Sequence, residues 1–378
     1  MSEPEVRVGF LGATGYIGVP YRHEMRGCSG VKMVALCARR QELLEAASTE
    51  EGGAFVSHDW REVVEHPEVN YVVVATPDAL HHDAVLAAAA AGKHLFCEKP
   101  VGKTALEARA MWEAYKRADR LAHFVPFWTR WSPGFVKAKE IYESGRLGEI
   151  KVVMYRWHNP RPKNMTLTWR DDPTISSAGS IADVGSHAYD TVRWILGDEA
   201  KRVLVHADTI TPAKLDVGAV NLTEALERGE KEVGKDNQRK GGTVDYATIS
   251  WEFNQGAVGA LVLSHATYLR RGLVPELELH GTEASLTVDR FHGRVTLGTP
   301  DNEVTVVDQP PAGGFEIGNR FEQWVIPGLR DVLGGKSQRE LDLPNLEDGW
   351  RVQLFTDAAL ASSQKGAWVS LDEIPGAS

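Results

Sequence analysis

The chain has 378 residues, with 52 acidic against 42 basic side chains and a formal net charge of −10. That length exceeds what one core usually serves and predicts two domains, while the acidic surface argues against nucleic acid or an anionic membrane as the main partner. Three cysteines without CxxC or Cys/His ligand spacing, no basic-then-apolar leader and no uncharged stretch of the roughly 18 residues a membrane span needs predict reduced, buried thiols and a soluble, cytoplasmic protein.

VRVGFL (6–11), KMVALCA (32–38), YVVVAT (71–76) and HLF (94–96) are apolar strands separated by helical stretches. Among these, ALHHDAVLAAAAAG carries an alanine run that favours helix and ends on the stop signal Gly92. Apolar strands with helical crossovers describe a parallel sheet covered on both faces, so residues 1–125 are expected to form a Rossmann-type, doubly wound α/β domain. Strand one runs into GATGYIG, where Gly12, Gly15 and Gly18 alternate with Thr14, Tyr16 and Ile17. Glycines there let the backbone approach a pyrophosphate at a helix N-terminus, a dinucleotide-binding arrangement; the alternative is a tight structural turn. Strand two ends in Ala38-Arg39-Arg40 rather than an acid. Arg39 and Arg40 suit the 2′-phosphate of NADP, which leans the expectation from NAD towards NADP; an arginine stacked on adenine or a solvated first helical turn are the other readings.

In a doubly wound sheet, ligands bind beyond the carboxyl ends of the strands. Thr76 ends the third of these strands and Pro77 follows it, with His81 and His82 shortly after, one of them a candidate for the cofactor edge and otherwise plain helix-start residues. KHLFCEKPVG ends the next strand in Glu98-Lys99-Pro100. A desolvated Lys99 can hold a substrate hydroxyl and trade its proton, and Pro100 offers a cis bond that would aim it. A surface salt bridge capping the strand is the bland alternative.

After FVPFWTRWSP (124–133) the alternation of strand and helix stops. Segments 149–159, 243–253, 257–267, 275–281, 284–289 and 303–308 read as consecutive strands, predicting an α+β domain over 126–378 with a large, mostly antiparallel open sheet. Helices are expected on one face, and the other is free to meet a second subunit in a homodimer or homotetramer. The polar stretch 211–242 reads as a helical excursion or ordered loop, and 315–333 and 346–363 as late helices. Trp128 and Arg130 close a predicted strand near the crevice, although tryptophan is more often core. RWHNPRPKNMTLTWR gathers Arg156, Arg161, Lys163 and Arg170, with His158 and Trp169, as substrate-binding candidates. Arginine forks suit an anionic sugar, a solvated loop or subunit contact being the alternative. In ADVGSHAYDTVRW, Asp183 and His187 share a helical face with Asp190 and Trp194 nearby, either as an orienting acid and a general base or as a structural pair. No HExxH-like spacing appears, so no metal is expected.

GATGYIG, ATPDALHHDA, AGKHLFCEKPVG and GSIADVGSHAYDTVRWILG together resemble the glucose-fructose oxidoreductase/inositol dehydrogenase (Gfo/Idh/MocA) family. GKHxxxEKP after TPxxxH is the specific part. The resemblance implies that Lys99 is catalytic, that Asp183 and His187 hold the general base, and that hydride passes between a nicotinamide and a secondary hydroxyl of a sugar, polyol or sugar derivative. Some members instead oxidise transiently, eliminate a glycosidic group and return the hydride. A cofactor-sensing regulator would need neither Lys99 nor the Asp/His pair. An extended short-chain dehydrogenase, which GATGYIG also suggests, needs Tyr-x-x-x-Lys, and none of the nine tyrosines has a lysine four residues on.

Overall fold

Six parallel strands form the first sheet because its interior strands are apolar over most of their length and must be covered on both faces. The computed structural model describes residues 4–118, 120–218, 220–229, 237–308 and 317–378. In chain order the elements are β1 (Val6–Leu11), α1 (Gly18–Arg26), β2 (Val31–Cys37), α2 (Gln41–Glu50), β3 (Phe55–Ser57), α3 (Trp60–Val64), β4 (Tyr71–Val74), α4 (His81–Ala90), β5 (His94–Cys97), α5 (Ala105–Arg117) and β6 (His123–Phe124). The sheet order is β3-β2-β1-β4-β5-β6, the doubly wound arrangement, and every residue of β4 and β5 is buried. Register aligns Leu11 with Cys37 and Val74, and Val74 with Cys97, so the loops after β1, β2, β4 and β5 leave one edge at one level.

The chain divides into two units: Met1–Pro126 with Asn221–Thr223 and Gly318–Arg351, and Phe127–Val220 with Glu224–Ile317 and Val352–Ser378. A second domain running unbroken from 126 to the end was expected; instead residues 318–351 return to the first unit. The reason is apolar and polar complementarity to α1. Phe321 packs edge-on against Tyr21 and beside Phe96, Asn319 donates to the Glu24 carbonyl at 2.8 Å, and Arg320 pairs with the Glu24 carboxylate. All three cysteines are free and buried, and burial pushes the Cys28 and Cys37 thiols up to about 11.

The second unit is built on α6 (Pro133–Glu143), β7 (Ile150–His158), α7 (Ser186–Leu196), β8 (Ala200–Asp208), β9 (Lys214–Leu215), β10 (Gln238–Arg239), β11 (Tyr246–Phe253), β12 (Val258–Ser264), β13 (Leu277–Gly281), β14 (Ser285–Asp289), β15 (Arg294–Gly298), β16 (Glu303–Asp308) and β17 (Val369–Ser370). Nine strands pair in the order β16-β15-β14-β13-β7-β12-β11-β8-β17, antiparallel throughout except at β7 and β12, which run parallel at the centre. Burial alternates along β7 and β11, with Val153, Tyr155 and Trp157 inward and Met154 and Arg156 outward. α6 and α7 cover the inward face, Phe135 stacking on Tyr155 and Tyr189 on Phe355 at 4.0 Å. Strands β8 and β15 were not read from sequence. The 211–242 stretch holds the β9/β10 ladder and helix Leu222–Gly229, with 219 and 230–236 outside the described residues; so is 315–316 at the head of the first late helix. Among the described residues no helix is long and apolar enough to cross a membrane.

Candidate active site

Two glycines of the first loop, Gly12 and Gly18, are required by contact. Gly12 has φ +83°, and a Cβ there would stand 2.4 Å from the Ala75 carbonyl; a Cβ on Gly18 would stand 2.1 Å from the Gly12 carbonyl. The Gly12 and Ala13 amides donate to the Cys37 carbonyl at 2.9 and 3.1 Å, folding the loop across the ends of β1 and β2. Buried Arg22 of α1 braces it from beneath, donating from Nε to the Ala13 carbonyl at 2.9 Å and pairing with Glu51 at 2.5 Å. Tyr16 is exposed, Thr14 and Ile17 are half-buried, and Arg39 and Arg40 stand exposed just past the end of β2. The Thr76 hydroxyl, at the end of β4, is buried without a hydrogen-bond partner. A backbone cradle with no room for side chains and an unsatisfied hydroxyl at the same sheet edge fit a dinucleotide.

Lys99 follows β5 at this edge, half-buried, and its bond to Pro100 is cis. Its backbone is gripped on both sides. The Glu98 carboxylate accepts the Lys99 amide at 3.1 Å and, through its other oxygen, the Tyr21 hydroxyl at 2.5 Å. The His81 ring, fully buried, spans the Pro100 carbonyl at 3.0 Å and the Thr76 carbonyl at 2.8 Å. The acid at the end of this buried strand is therefore a hydrogen-bond acceptor that fixes the lysine backbone, not a solvated cap.

In the second unit the Asp183/His187 segment is not plain α-helix. Residues Ile181–Gly185 form a π-turn leading into α7, a widened turn often found at functional sites. Gly185 is needed there, since a Cβ would meet Leu263 Cδ1 at 2.7 Å, and Gly179, at φ +53°, would meet the Val244 carbonyl at 2.1 Å. His187 is buried with its ring stacked on Trp157 of β7, centroids 5.6 Å apart, and Phe127 edge-on at 6.1 Å. The Asp183 carboxylate faces Arg161 Nη2 at 3.2 Å, Arg170 Nε at 3.9 Å and His265 Nε2 at 3.1 Å. Burial lowers the pKa of Arg161 and holds that of His265 down to about 4, with the nearby Arg161 charge adding to the latter. Such a site offers a buried imidazole and a carboxylate faced by two guanidinium groups and a second imidazole, the equipment for binding hydroxyls and taking a proton.

Residues 6–125 match the model of an oxidoreductase family with an NAD-binding Rossmann fold, and residues 135–287 match the GFO/IDH/MocA C-terminal domain. The chain belongs to the Gfo/Idh/MocA family. It is 28% identical over 356 residues to levoglucosan dehydrogenase of Pseudarthrobacter phenanthrenivorans, covering 88% of each chain, and 24% identical to myo-inositol 2-dehydrogenase of Thermotoga maritima over 98% of this chain and 100% of that one. Among solved structures it is similar in fold to a levoglucosan dehydrogenase complex with NADH and L-sorbose (TM-score 0.79, 24% identity, 99% and 100% covered) and to an oxidoreductase domain protein from Kribbella flavida (TM-score 0.80, 23% identity, 97% and 99% covered).

Within this Gfo/Idh/MocA chain several sequence candidates take other work. His81 has both ring nitrogens on backbone carbonyls, so it ties the β4 and β5 loops together rather than offering a nitrogen to a cofactor. Arg130 and Trp128 lie on a buried 3₁₀ turn, Trp128–Trp131, not a strand end, and the Arg130 fork is taken by fully buried Asp190 at 2.8 and 2.5 Å. Arg156 and His158 leave β7 on the face opposite Trp157, because side chains alternate along a strand; they line a separate cleft with Arg270, Arg271 and Phe291, and Arg156 pairs with Glu278. Arg161 is paired with Asp183, while Arg170 lies over the Trp169 ring at 4.3 Å. Lys163 is exposed. The basic cluster is thus largely neutralised from within and does not form a focused anion site. Tyr21, Arg22 and His265 were not read from sequence: no motif sets them apart from their neighbours, and only the tertiary partner marks each.

Proposed function

We propose that the protein oxidises a secondary hydroxyl of a neutral sugar or polyol with a nicotinamide dinucleotide. The observation that carries the reading is Lys99, half-buried at the strand edge from which the glycine loop and Thr76 also emerge, its backbone fixed by Glu98 and His81. A bound nicotinamide supplies the hydride acceptor. Lys99 is assigned to the substrate hydroxyl, His187 to the proton leaving it, and Asp183 to binding a neighbouring hydroxyl; the products are a ketone, the reduced nicotinamide and a proton. The names of the similar proteins, levoglucosan and myo-inositol dehydrogenases, support sugars and polyols as the class to test. A second copy of the chain against the outward face of the nine-stranded sheet is the proposed macromolecular partner, checked by mass in solution.

The test is a screen of sugars, polyols and aryl glycosides, following reduced cofactor and released aglycone with wild type and Lys99→Ala. Loss of at least about 10²-fold in kcat, with cofactor binding kept, is expected for Lys99→Ala. Unchanged turnover in that variant removes the mechanism. Aglycone release without net reduced cofactor identifies redox-neutral glycoside cleavage instead, and cofactor binding with no turnover of any compound identifies a sensor.

A further inference from the structure

Asp183 is partly enclosed, with Arg161 and His265 at Oδ2 and Arg170 Nε 3.9 Å from Oδ1. Its side chain keeps 21% exposure, whereas His265 beside it is 6% exposed and its Nε2 is shut off from solvent. The enclosed side is built by the two parallel strands at the centre of the sheet. Just past the ends of β7 and β12 the ladder continues, with the Arg161 amide donating to the His265 carbonyl at 3.1 Å and the His265 amide donating to the Asp245 carbonyl at 2.8 Å. The same continuation delivers both side chains to one oxygen, Arg161 Nη2 at 3.2 Å and His265 Nε2 at 3.1 Å from Asp183 Oδ2.

We propose that His265 is a positioning residue for the hydroxyl chemistry, its Nε2–H holding the Asp183 carboxylate from the enclosed side so that the open edge meets the substrate hydroxyl. The proposal rests on the reading of function above and deepens it. Two features make this place suit a histidine. Arg161 at Oδ2 and Arg170 near Oδ1 already supply positive charge, so a third cation would overbind the carboxylate and compete with substrate. His265, kept neutral by burial, directs the carboxylate with a single donor and adds no charge. The His265 ring stands close to Oδ2 but off the line of a full hydrogen bond, within reach of a small rotation that would align it.

The experiment compares His265→Leu, His265→Gln and His265→Asn, each alone and with Asp183→Asn, in the full chain. His265→Leu is expected to lower kcat/KM for the sugar or polyol by about 10-fold to 100-fold, with cofactor affinity unchanged. Glutamine, whose amide reaches the Nε2 position, restores most of the rate, and asparagine, which is too short, does not. In the Asp183→Asn background the His265 substitutions have no further effect, because the partner they act through is gone. A full rate in His265→Leu, an equal loss in the glutamine and asparagine variants, or undiminished loss in the Asp183→Asn background overturns the proposal. An activity-free arm separates its failure from that of the function: ¹⁵N spectra of the imidazoles at neutral pH should show His265 as the neutral Nε2–H tautomer, with a shift that moves on Asp183→Asn. An Nδ1–H tautomer, or an unmoved signal, overturns the proposal even where every sugar is turned over. No turnover of any sugar with the expected spectrum overturns the functional reading alone.

Discussion

Tyr21 shows how one hydroxyl can reach the chemistry without touching a ligand. It donates to buried Glu98, which in turn accepts the Lys99 amide. Tyr21→Phe leaves a buried carboxylate oxygen short of a donor, which is expected to cost about 1–3 kcal/mol of stability by thermal unfolding and to lower kcat more than it weakens cofactor binding. We propose that Arg39 distinguishes the two cofactors. It is exposed directly after β2, where no acid stands to meet a ribose, so Arg39→Ala is expected to weaken NADP binding at least about tenfold more than NAD, or about 1.4 kcal/mol, in a fluorescence titration. Equal weakening of both would mean adenine stacking. At this scale the sequence was legible wherever the backbone itself carries the signal, as in Gly12, Gly18 and the cis bond at Pro100. It was misleading for His81, Arg130 and Arg156, because residue type does not reveal which nearby carbonyl or carboxylate will claim a polar group first.

Between Ser180 and Ser186 the chain makes a π-turn, and that element is held open by its fit against β12. Gly185→Ala drives a Cβ into Leu263, so the turn or the strand must shift; a loss of about 1–3 kcal/mol is expected, with kcat/KM for substrate falling and cofactor affinity preserved. Full activity with unchanged stability would show that the turn has slack. Periodicity identified 149–159 and 243–253 as strands, since an apolar pattern is a property of each strand alone. It said nothing of partners, and so missed that β7 and β12 run parallel amid antiparallel neighbours. Strand β8 escaped because its outward residues Lys201, Arg202 and His206 dilute an apolar signal supplied by Val203 and Val205.

Across the whole molecule, buried imidazoles set the acid limit of stability. Burial holds His94 down to about 4, His123 to about 3 and His265 to about 4, against an ordinary value of 6.5. The unfolded chain takes up these protons below pH 6.5 while the folded chain does not, so their contribution is complete above that pH and is lost as pH falls from about 6.5 towards 4. Each ring contributes a slope of up to about 1.4 kcal/mol per pH unit in that window. Denaturant unfolding at steps of pH should show the fall, and His94→Gln should flatten it; a stability flat from pH 7 to about 4.5 would contradict the assignment. The two-domain plan was visible in length and strand pattern, but the return of 318–351 to the first unit was not, because helical periodicity shows that a segment has an apolar face without naming the surface it will cover.

That return bears on how the protein is made. The Val125 amide bonds to the Pro344 carbonyl, the Leu346 amide to His123, and Phe321 covers Tyr21 and Phe96. A ribosome that has finished Pro126 has therefore delivered a nucleotide-binding sheet whose last apolar cover is still unwritten, and it must translate as far as Gly318 before that cover begins to appear. At about 5–20 residues per second this leaves the nascent sheet partly bare for roughly 10–40 s, long enough for chaperones to engage it, so the order in which the message is read makes the first third of the chain wait for the last part of it.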